Sequence, residues 1–480
     1  MKWIVYNLLF AAVYPFLLPG FLLRMLRRGG YANRFWDRFS LYPENLFGKD
    51  RPLFDSHAPS TKHQAPSTSP VWIHAVSVGE VQVAGQLMRE WRKVDPSVRF
   101  CFSTTSSTGW KMAEREVKAG GEEGGDVLIY NPLDFPNFVK SALKTVRPRA
   151  IVLTESEIWP NFIRQAKKMG IPLFLINARV SDRSAPRYRL ARFFFKDVLS
   201  SFTRIFAQSD LDKARLVAAG APADKVEVTG SFKFDVARRN EAKESELREW
   251  LLGSLKDGVP KILLGGSTWP GEDEVLLRIY KKLLNSTVPP PTSNLPPDSP
   301  ISNLPPEPLL VIAPRHFEKA DAVEANIRKA GFACVRRSRS DVPSPTSRLP
   351  PVFLADTTGE LMGLYGIADV VFVGKSLCAH GSQNMIEPCL CGKPTFVGPH
   401  TENFRPVMSD LLAADAIVQV KDEAELEQGI VELFASLTSA EGGASPLNGA
   451  ALALGERARA AVERRRGVVA KCLASVRSAL

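Results

Sequence analysis

Two series of short apolar, β-branched runs, each followed by a stretch with helical spacing, limit what this chain can become. The first begins at Val71 and continues through Val98–Ser103, Val127–Tyr130, Ala150–Leu153, Pro172–Ile176, Arg204–Ala207 and Val226–Thr229. The second runs through Lys261–Leu264, Leu309–Ile312, Ala333–Val335, Val352–Leu354, Val370–Val373, Pro394–Val397 and Ala416–Gln419. Strands that alternate with helices favour βαβ units and a parallel sheet. The spacing therefore predicts an α/β chain of two doubly wound halves with a hinge around Gly230 to Arg239. The 480 residues and 45% apolar content are enough for two such cores. We expect residues 1–28 as an anchor, 29–232 as the first domain and 233–480 as the second. Pro-rich insertions fall at 285–308 and 338–351, and a Ser/Thr/Pro-rich spacer at 52–70.

The run from Val71 ends in Ser77-Val78-Gly79-Glu80, and Val83, Leu87 and Trp91 then share one helical face. This reads as strand, tight turn and helix, with a carboxylate at the helix start. In an open α/β sheet, ligands bind beyond the carboxyl ends of strands, where such a turn sits. Two roles for Glu80 stay open at this point: complementing the helix dipole, or serving as a base at the mouth of a cleft.

Ile4 to Leu23 carries no charge, and Arg24, Arg27, Arg28, Arg34 and Arg38 follow with only Asp37 opposing them. Twenty helical residues cover about 30 Å, the thickness of a hydrocarbon core. Pro15 and Pro19 leave a kinked span or an interfacial helix as the two forms of an uncleaved anchor. The basic flank places the rest of the chain on the cytoplasmic side. Sixty-two basic against 51 acidic residues leave a net charge of +11, which suits an anionic partner: nucleic acid, a lipid surface or a phosphorylated substrate. The six cysteines have no Cys-x-x-Cys spacing and read as reduced thiols; the six histidines show no zinc-ligand spacing, so no metal is expected.

Polar residues gather where predicted strands end. Thr154 to Asn161 carries Glu155 and Glu157, and Asn177 to Ser184 carries Arg179 and Arg183. Gly265-Gly266-Ser267-Thr268 leads into a helix whose terminal N–H groups suit an anion. Pro314-Arg315-His316 offers a guanidinium to a phosphate. Gly374-Lys375-Ser376-Leu377, Gly381 to Pro388 with Asn384 and Glu387, and Gly398 to Phe404 lie at the same predicted sheet end. None matches a Walker loop or a G-x-G-x-x-G fingerprint.

The order of these motifs resembles the Kdo transferases (3-deoxy-D-manno-octulosonic acid transferases). The resemblance rests on the N-terminal apolar segment, His74 to Val81, Glu155-x-Glu157-x-Trp159-Pro160-Asn161, Asn177-Ala178-Arg179 and Gly230 to Asp235. It continues through Gly266-Ser267-Thr268, Pro314-Arg315-His316, Asp356 to Leu361, Gly374 to Pro388 and Gly398-Pro399-His400. It implies a GT-B glycosyltransferase, two Rossmann-like domains with an interdomain cleft, working without a metal or other cofactor. It further implies a CMP-Kdo donor, a lipid A precursor (lipid IVA) as acceptor, contact with membrane lipid at the inner membrane, and no nucleic acid. Two departures stand out. The family usually has Gly-Gly-Ser-Leu where this chain has Gly374-Lys375-Ser376-Leu377, and Gly-Gly-His-Asn where it has Gly381-Ser382-Gln383-Asn384.

On this basis Glu80 is expected as general base in an inverting displacement. Ser267, Thr268, Pro314, Arg315, Gly374, Ser376, Asn384 and Glu387 are expected to bind the donor. Arg315 and Lys233 are expected to stabilise the leaving phosphate, and Glu157, Arg179 and Arg183 to bind the acceptor. Rival readings are a GT-B enzyme using another nucleotide sugar, and a membrane-tethered nucleotide or glycolipid binder without catalysis.

Overall fold

The computed structural model describes residues 2–28, 34–43, 46, 69–119, 125–252, 259–287, 307–339, 351–438 and 446–480. Most of the spacer and of both Pro-rich insertions lies outside the described residues.

The apolar runs pair as two seven-stranded parallel sheets. The first contains β1 (Val71–His74), β2 (Phe100–Thr104), β3 (Val127–Tyr130), β4 (Ala150–Thr154), β5 (Leu173–Ala178), β6 (Arg204–Ala207) and β7 (Val226–Val228). Its order is β3-β2-β1-β4-β5-β6-β7. The second contains β8 (Ile262–Thr268), β9 (Leu309–Pro314), β10 (Ala333–Arg336), β11 (Pro351–Leu354), β12 (Val370–Val373), β13 (Thr395–Val397) and β14 (Val418–Gln419). Its order is β10-β11-β9-β8-β12-β13-β14. β1, β2, β4 and β5 are buried at every position, which is why they read as unbroken apolar runs rather than alternating ones. Strand order reverses between β1 and β4 and again between β8 and β12. At such points neighbouring loops leave toward opposite faces and open a crevice at the carboxyl ends.

Contacts divide the chain into Met1–Val236 with Gly467–Leu480, and Ala237–Arg466. This differs from the expected single C-terminal domain over 233–480. The last helix, Val468–Ser478, buries Val468, Val469, Cys472, Leu473 and Val476 in the same cluster as Val81, Leu87, Trp91 and Phe100. Asp235 holds its start by accepting the N–H groups of Gly467 and Val469, both at 2.7 Å. Lys233 accordingly belongs to the first unit.

The N-terminal helix Lys2–Arg28 contains both prolines without interruption. One face docks on the first unit: Trp3 against Phe194 at 5.1 Å, Phe10 against Phe135 at 5.0 Å, and Asn7 accepting from Asn161 at 2.8 Å. Ile4, Val5, Leu8, Leu9, Val13 and Phe16 face outward and are exposed. Among the described residues, no helix is long and apolar enough to cross a membrane.

Asp134 ties this helix down. Its carboxylate accepts the Tyr6 hydroxyl (2.9 Å) and the N–H groups of Asn161 (3.0 Å) and Phe162 (2.8 Å), which open the helix Pro160–Lys168. Burial pushes the carboxyl up to about 7, against the pull of those three donors. A folded-state value above the unfolded one means the fold binds this proton more tightly. The stabilisation is complete below the unfolded value near 4 and is lost as pH rises to 7. Urea stability should therefore fall by up to about 4 kcal/mol more between pH 4 and 8 in the wild type than in D134N. Parallel pH profiles for the two proteins would contradict the assignment.

Candidate active site

In the first unit the site grows from the β1 turn. Ser77 caps the helix Val78–Val94, accepting from Glu80 N at 3.3 Å. Glu80 answers: Oε1 accepts the Ser77 hydroxyl at 2.7 Å, and Oε2 accepts Val76 N–H at 3.1 Å. Thr154, at the end of β4, places its hydroxyl 3.0 Å from Oε2. Glu80 is only 9% exposed and sits at the switch point, fixed by its two bonds to the Val76–Ser77 turn, with the Thr154 hydroxyl shared between it and the His74 carbonyl. The capping role and a fixed position at the sheet end thus coexist in one side chain.

Glu155 follows in the left-handed region (φ 49°). It accepts from Asn177 Nδ2 at 3.2 Å and pairs with Arg179 at 3.3 Å. Burial raises its carboxyl; Lys233 and Arg179 oppose this, while Glu80 and Glu157 add to it. Burial likewise lowers the Lys233 ammonium, with Glu155 working against the shift. Buried His74 turns Nδ1 toward the Ser103 carbonyl (3.1 Å) and hydroxyl (2.9 Å), and holds Nε2 3.5 Å from Glu157. Trp159 Nε1 donates to the same Glu157 oxygen at 2.9 Å. The fold therefore gathers Glu80, Glu157, Arg179 and Lys233, and adds Glu155, His74 and Thr154. Arg183 is not drawn in: it is exposed at the start of the helix Ser184–Leu190, without a side-chain cap bond.

In the second unit the expected phosphate cradle is filled from within. Glu272, fully buried at the first position of the helix Glu272–Thr287, accepts the N–H groups of Trp269 (2.7 Å), Lys375 (2.8 Å), Ser376 (3.1 Å), Leu377 (3.1 Å) and Cys378 (3.4 Å). A carboxylate offers about four lone-pair sites, so this one is saturated. Gly374 is required because a Cβ there would lie 2.4 Å from the Ser267 carbonyl oxygen. The Ser376 hydroxyl is also committed, donating to the Val373 carbonyl at 2.5 Å and accepting from Gly398 N at 2.9 Å. It joins the β12 and β13 loops internally rather than reaching outward.

What remains open lies one strand away. A cavity of about 140 Å³ is lined by Ser267, Pro314, Arg315, Thr357, Thr358 and Gly359 among others. Arg315 is exposed and forms no ion pair among the described residues. Asn384 Nδ2 donates to Glu387 at 3.0 Å; burial raises the Glu387 carboxyl, opposed by that bond and by the charge of Arg315.

Residues 33–236 match the family described as 3-Deoxy-D-manno-octulosonic-acid transferase (kdotransferase). A 3-deoxy-D-manno-octulosonic acid transferase from Bordetella pertussis is 34% identical over 420 residues, spanning 87% of this chain and 89% of the relative. The chain belongs to this Kdo transferase family. The Haemophilus influenzae enzyme of the same name is also 34% identical, over 78% of this chain and 82% of its own. Among solved structures, a glycosyltransferase from Rickettsia africae superposes with a TM-score of 0.53 at 12% identity, covering 86% of this chain and 98% of its own. A UDP-GlcNAc 2-epimerase from Neisseria meningitidis gives 0.52 at 14% identity, covering 84% and 100%. One fold serves both a transferase and an epimerase there, so the likeness speaks for a GT-B-like architecture alone.

Family membership gives the two departures a physical meaning. Lys375 (φ 57°) and Ser382 (φ 60°) occupy left-handed positions where Kdo transferases usually carry glycine. L-residues adopt that region at a cost of about 1–2 kcal/mol. Lys375 recovers part of it by setting its ammonium 5.1 Å from the Trp269 ring centre. Removing the internal anion is far more damaging. E272A leaves several buried N–H groups unsatisfied and should cost at least ~3 kcal/mol in denaturant midpoint analysis, whereas E272Q, which keeps one acceptor oxygen, should cost less. Equal losses would show that side-chain packing, not N–H capture, is what Glu272 supplies.

Proposed function

We propose that this glycosyltransferase moves Kdo from CMP-Kdo to a lipid A precursor with inversion at the anomeric carbon, in lipopolysaccharide core synthesis. The observation that carries the reading is 34% identity to a Kdo transferase across 87% of the chain. Glu80 is the base. Oε1 accepts only the Ser77 hydroxyl, so its second lone pair is the natural seat for a proton. As the acceptor hydroxyl loses that proton, its oxygen attacks the anomeric carbon and CMP leaves. Arg315, exposed beside the cavity, meets the charge that builds on the phosphate. Lys233 and Arg179 lie with Glu155 in the first unit, which favours anionic groups of the acceptor as their partners. In E80Q, transfer should fall by about 10²–10⁴-fold while CMP binding persists, read as product mass from CMP-Kdo and lipid IVA. Near-normal turnover would remove Glu80 from the mechanism, and turnover with a UDP-sugar in place of CMP-Kdo would replace the donor.

The outer face of the helix Lys2–Arg28 supports anchoring in the interface at the cytoplasmic side of the inner membrane. Its exposed Leu8, Val13 and Phe16 are joined by exposed Leu190 and Phe193, with Arg187, Arg189 and Arg192 alongside. Lys2 reaches the Phe193 carbonyl at 3.4 Å, so the two apolar surfaces adjoin. Apolar side chains sunk to headgroup depth and arginines against anionic lipid are how interfacial helices bind. The double variant L8D/F193D should cut flotation with phosphatidylglycerol vesicles at least tenfold. Unchanged flotation would place the membrane contact elsewhere.

A further inference from the structure

Six histidines scattered along a chain carry no ligand pattern in sequence, yet the fold brings two of them together with a carboxylate. His380 lies in the loop after β12, and His400 and Glu402 in the loop after β13. Their ligand atoms all fall within 4.8 Å of one another, the one such His/Cys/Asp/Glu group among the described residues. His380 Nδ1 is 3.1 Å and His400 Nδ1 3.6 Å from the same Glu402 oxygen, and the two rings stand 3.9 Å apart.

The two nitrogen–oxygen spacings fit a tetrahedral ion, while the rings, whose centroids are 3.9 Å apart, have to splay as an ion enters. Nitrogen and oxygen ligands lie about 2.0–2.2 Å from zinc, so two of them on one tetrahedron are about 3.3–3.5 Å apart. The two nitrogen–oxygen separations, 3.1 and 3.6 Å, bracket that edge. The loops that carry the ligands are already fastened to each other. His400 N donates to the Ser376 carbonyl at 3.0 Å, and Asn403 N to the Gly381 carbonyl at 3.3 Å. Gly381 adopts φ 112°, which strains any side chain, and a Cβ there would also push aside the Asn403 side-chain amide 2.4 Å away. Ligands mounted on backbone pinned in this way need little ordering to bind.

We propose that His380, His400 and Glu402 form a three-ligand site for a zinc-class divalent ion, a departure from the metal-free expectation drawn from the sequence. Two imidazoles and one carboxylate suit zinc or cobalt; magnesium and calcium prefer all-oxygen shells. Three protein ligands leave the fourth position to water or another oxygen donor, which keeps the ion exchangeable. His380 and Glu402 are exposed, so the ion reaches the site directly from solvent. Binding draws the two loops together through side chains in addition to the two backbone bonds.

The test is titration of metal-depleted full-length protein with Zn²⁺ by calorimetry, and with Co²⁺ read through the visible d–d bands of a four-coordinate ion. One site per chain is expected, insensitive to excess Mg²⁺. H380A, H400A and E402Q should each weaken it at least tenfold with unchanged circular dichroism, and H316A should leave it intact. The proposal is overturned by affinity weaker than about 1 mM, by unaltered binding in H400A, or by loss of the site in H316A instead. Any of these would leave the trio as two histidines hydrogen-bonded to a carboxylate.

Discussion

A parallel strand that ends in a loop releases backbone N–H groups from the sheet, and something must accept them. In the second unit Glu272 accepts them for the loops after both β8 and β12. The paths of Gly374, Lys375 and Ser376, and the hydroxyl bridge from Ser376 to Gly398, follow from that one carboxylate. The first unit repeats the device with less demand. Glu80, at the corresponding helix start, accepts one N–H and the Ser77 hydroxyl, with the Thr154 hydroxyl shared between it and the His74 carbonyl. The difference is the count of lone pairs: Glu272 has none left for chemistry, Glu80 has at least one. Two carboxylates at equivalent places in equivalent folds are thereby separated into a structural anion and a candidate base.

The sheets were legible because parallel strands buried on both faces leave continuous apolar runs, and every strand in both sheets lies on or near such a run. Strand order was not legible, since it depends on crossovers that leave no mark on the runs themselves. Glu80, Glu157 and Arg179 were found by their position after strands. Glu155 sat two residues from Glu157 and was passed over in favour of its neighbour; its left-handed backbone and its bond from Asn177 appear only in three dimensions.

Other residues take roles in the fold that the sequence does not reveal. Ser376 and the N–H groups around it looked like a ligand cradle because glycine, hydroxyl and a helix start compose the same pattern whether the anion comes from outside or from the chain. Glu272 opens the helix that follows the Gly265–Thr268 turn, but only the reach of its side chain across 103 residues to Lys375 reveals the role. The His380, His400 and Glu402 cluster escaped a search for short ligand spacings because it forms between loops that follow two different strands.

The return of Gly467–Leu480 to the first unit has a bearing on how the protein is made. The second unit is an insertion in the first: Arg466, where the chain leaves it, donates to the carbonyl of Ala237, where the chain enters, at 3.3 Å. A ribosome delivers residues in order, and domains ordinarily mature from the N-terminus onward. Here the earlier unit keeps an open apolar gap beside Val81 and Leu87 until Val476 has been synthesised, while the later one has every residue it needs sooner. The second unit is thus placed to finish first, and the unit that carries Glu80 closes only when the helix Val468–Ser478 arrives.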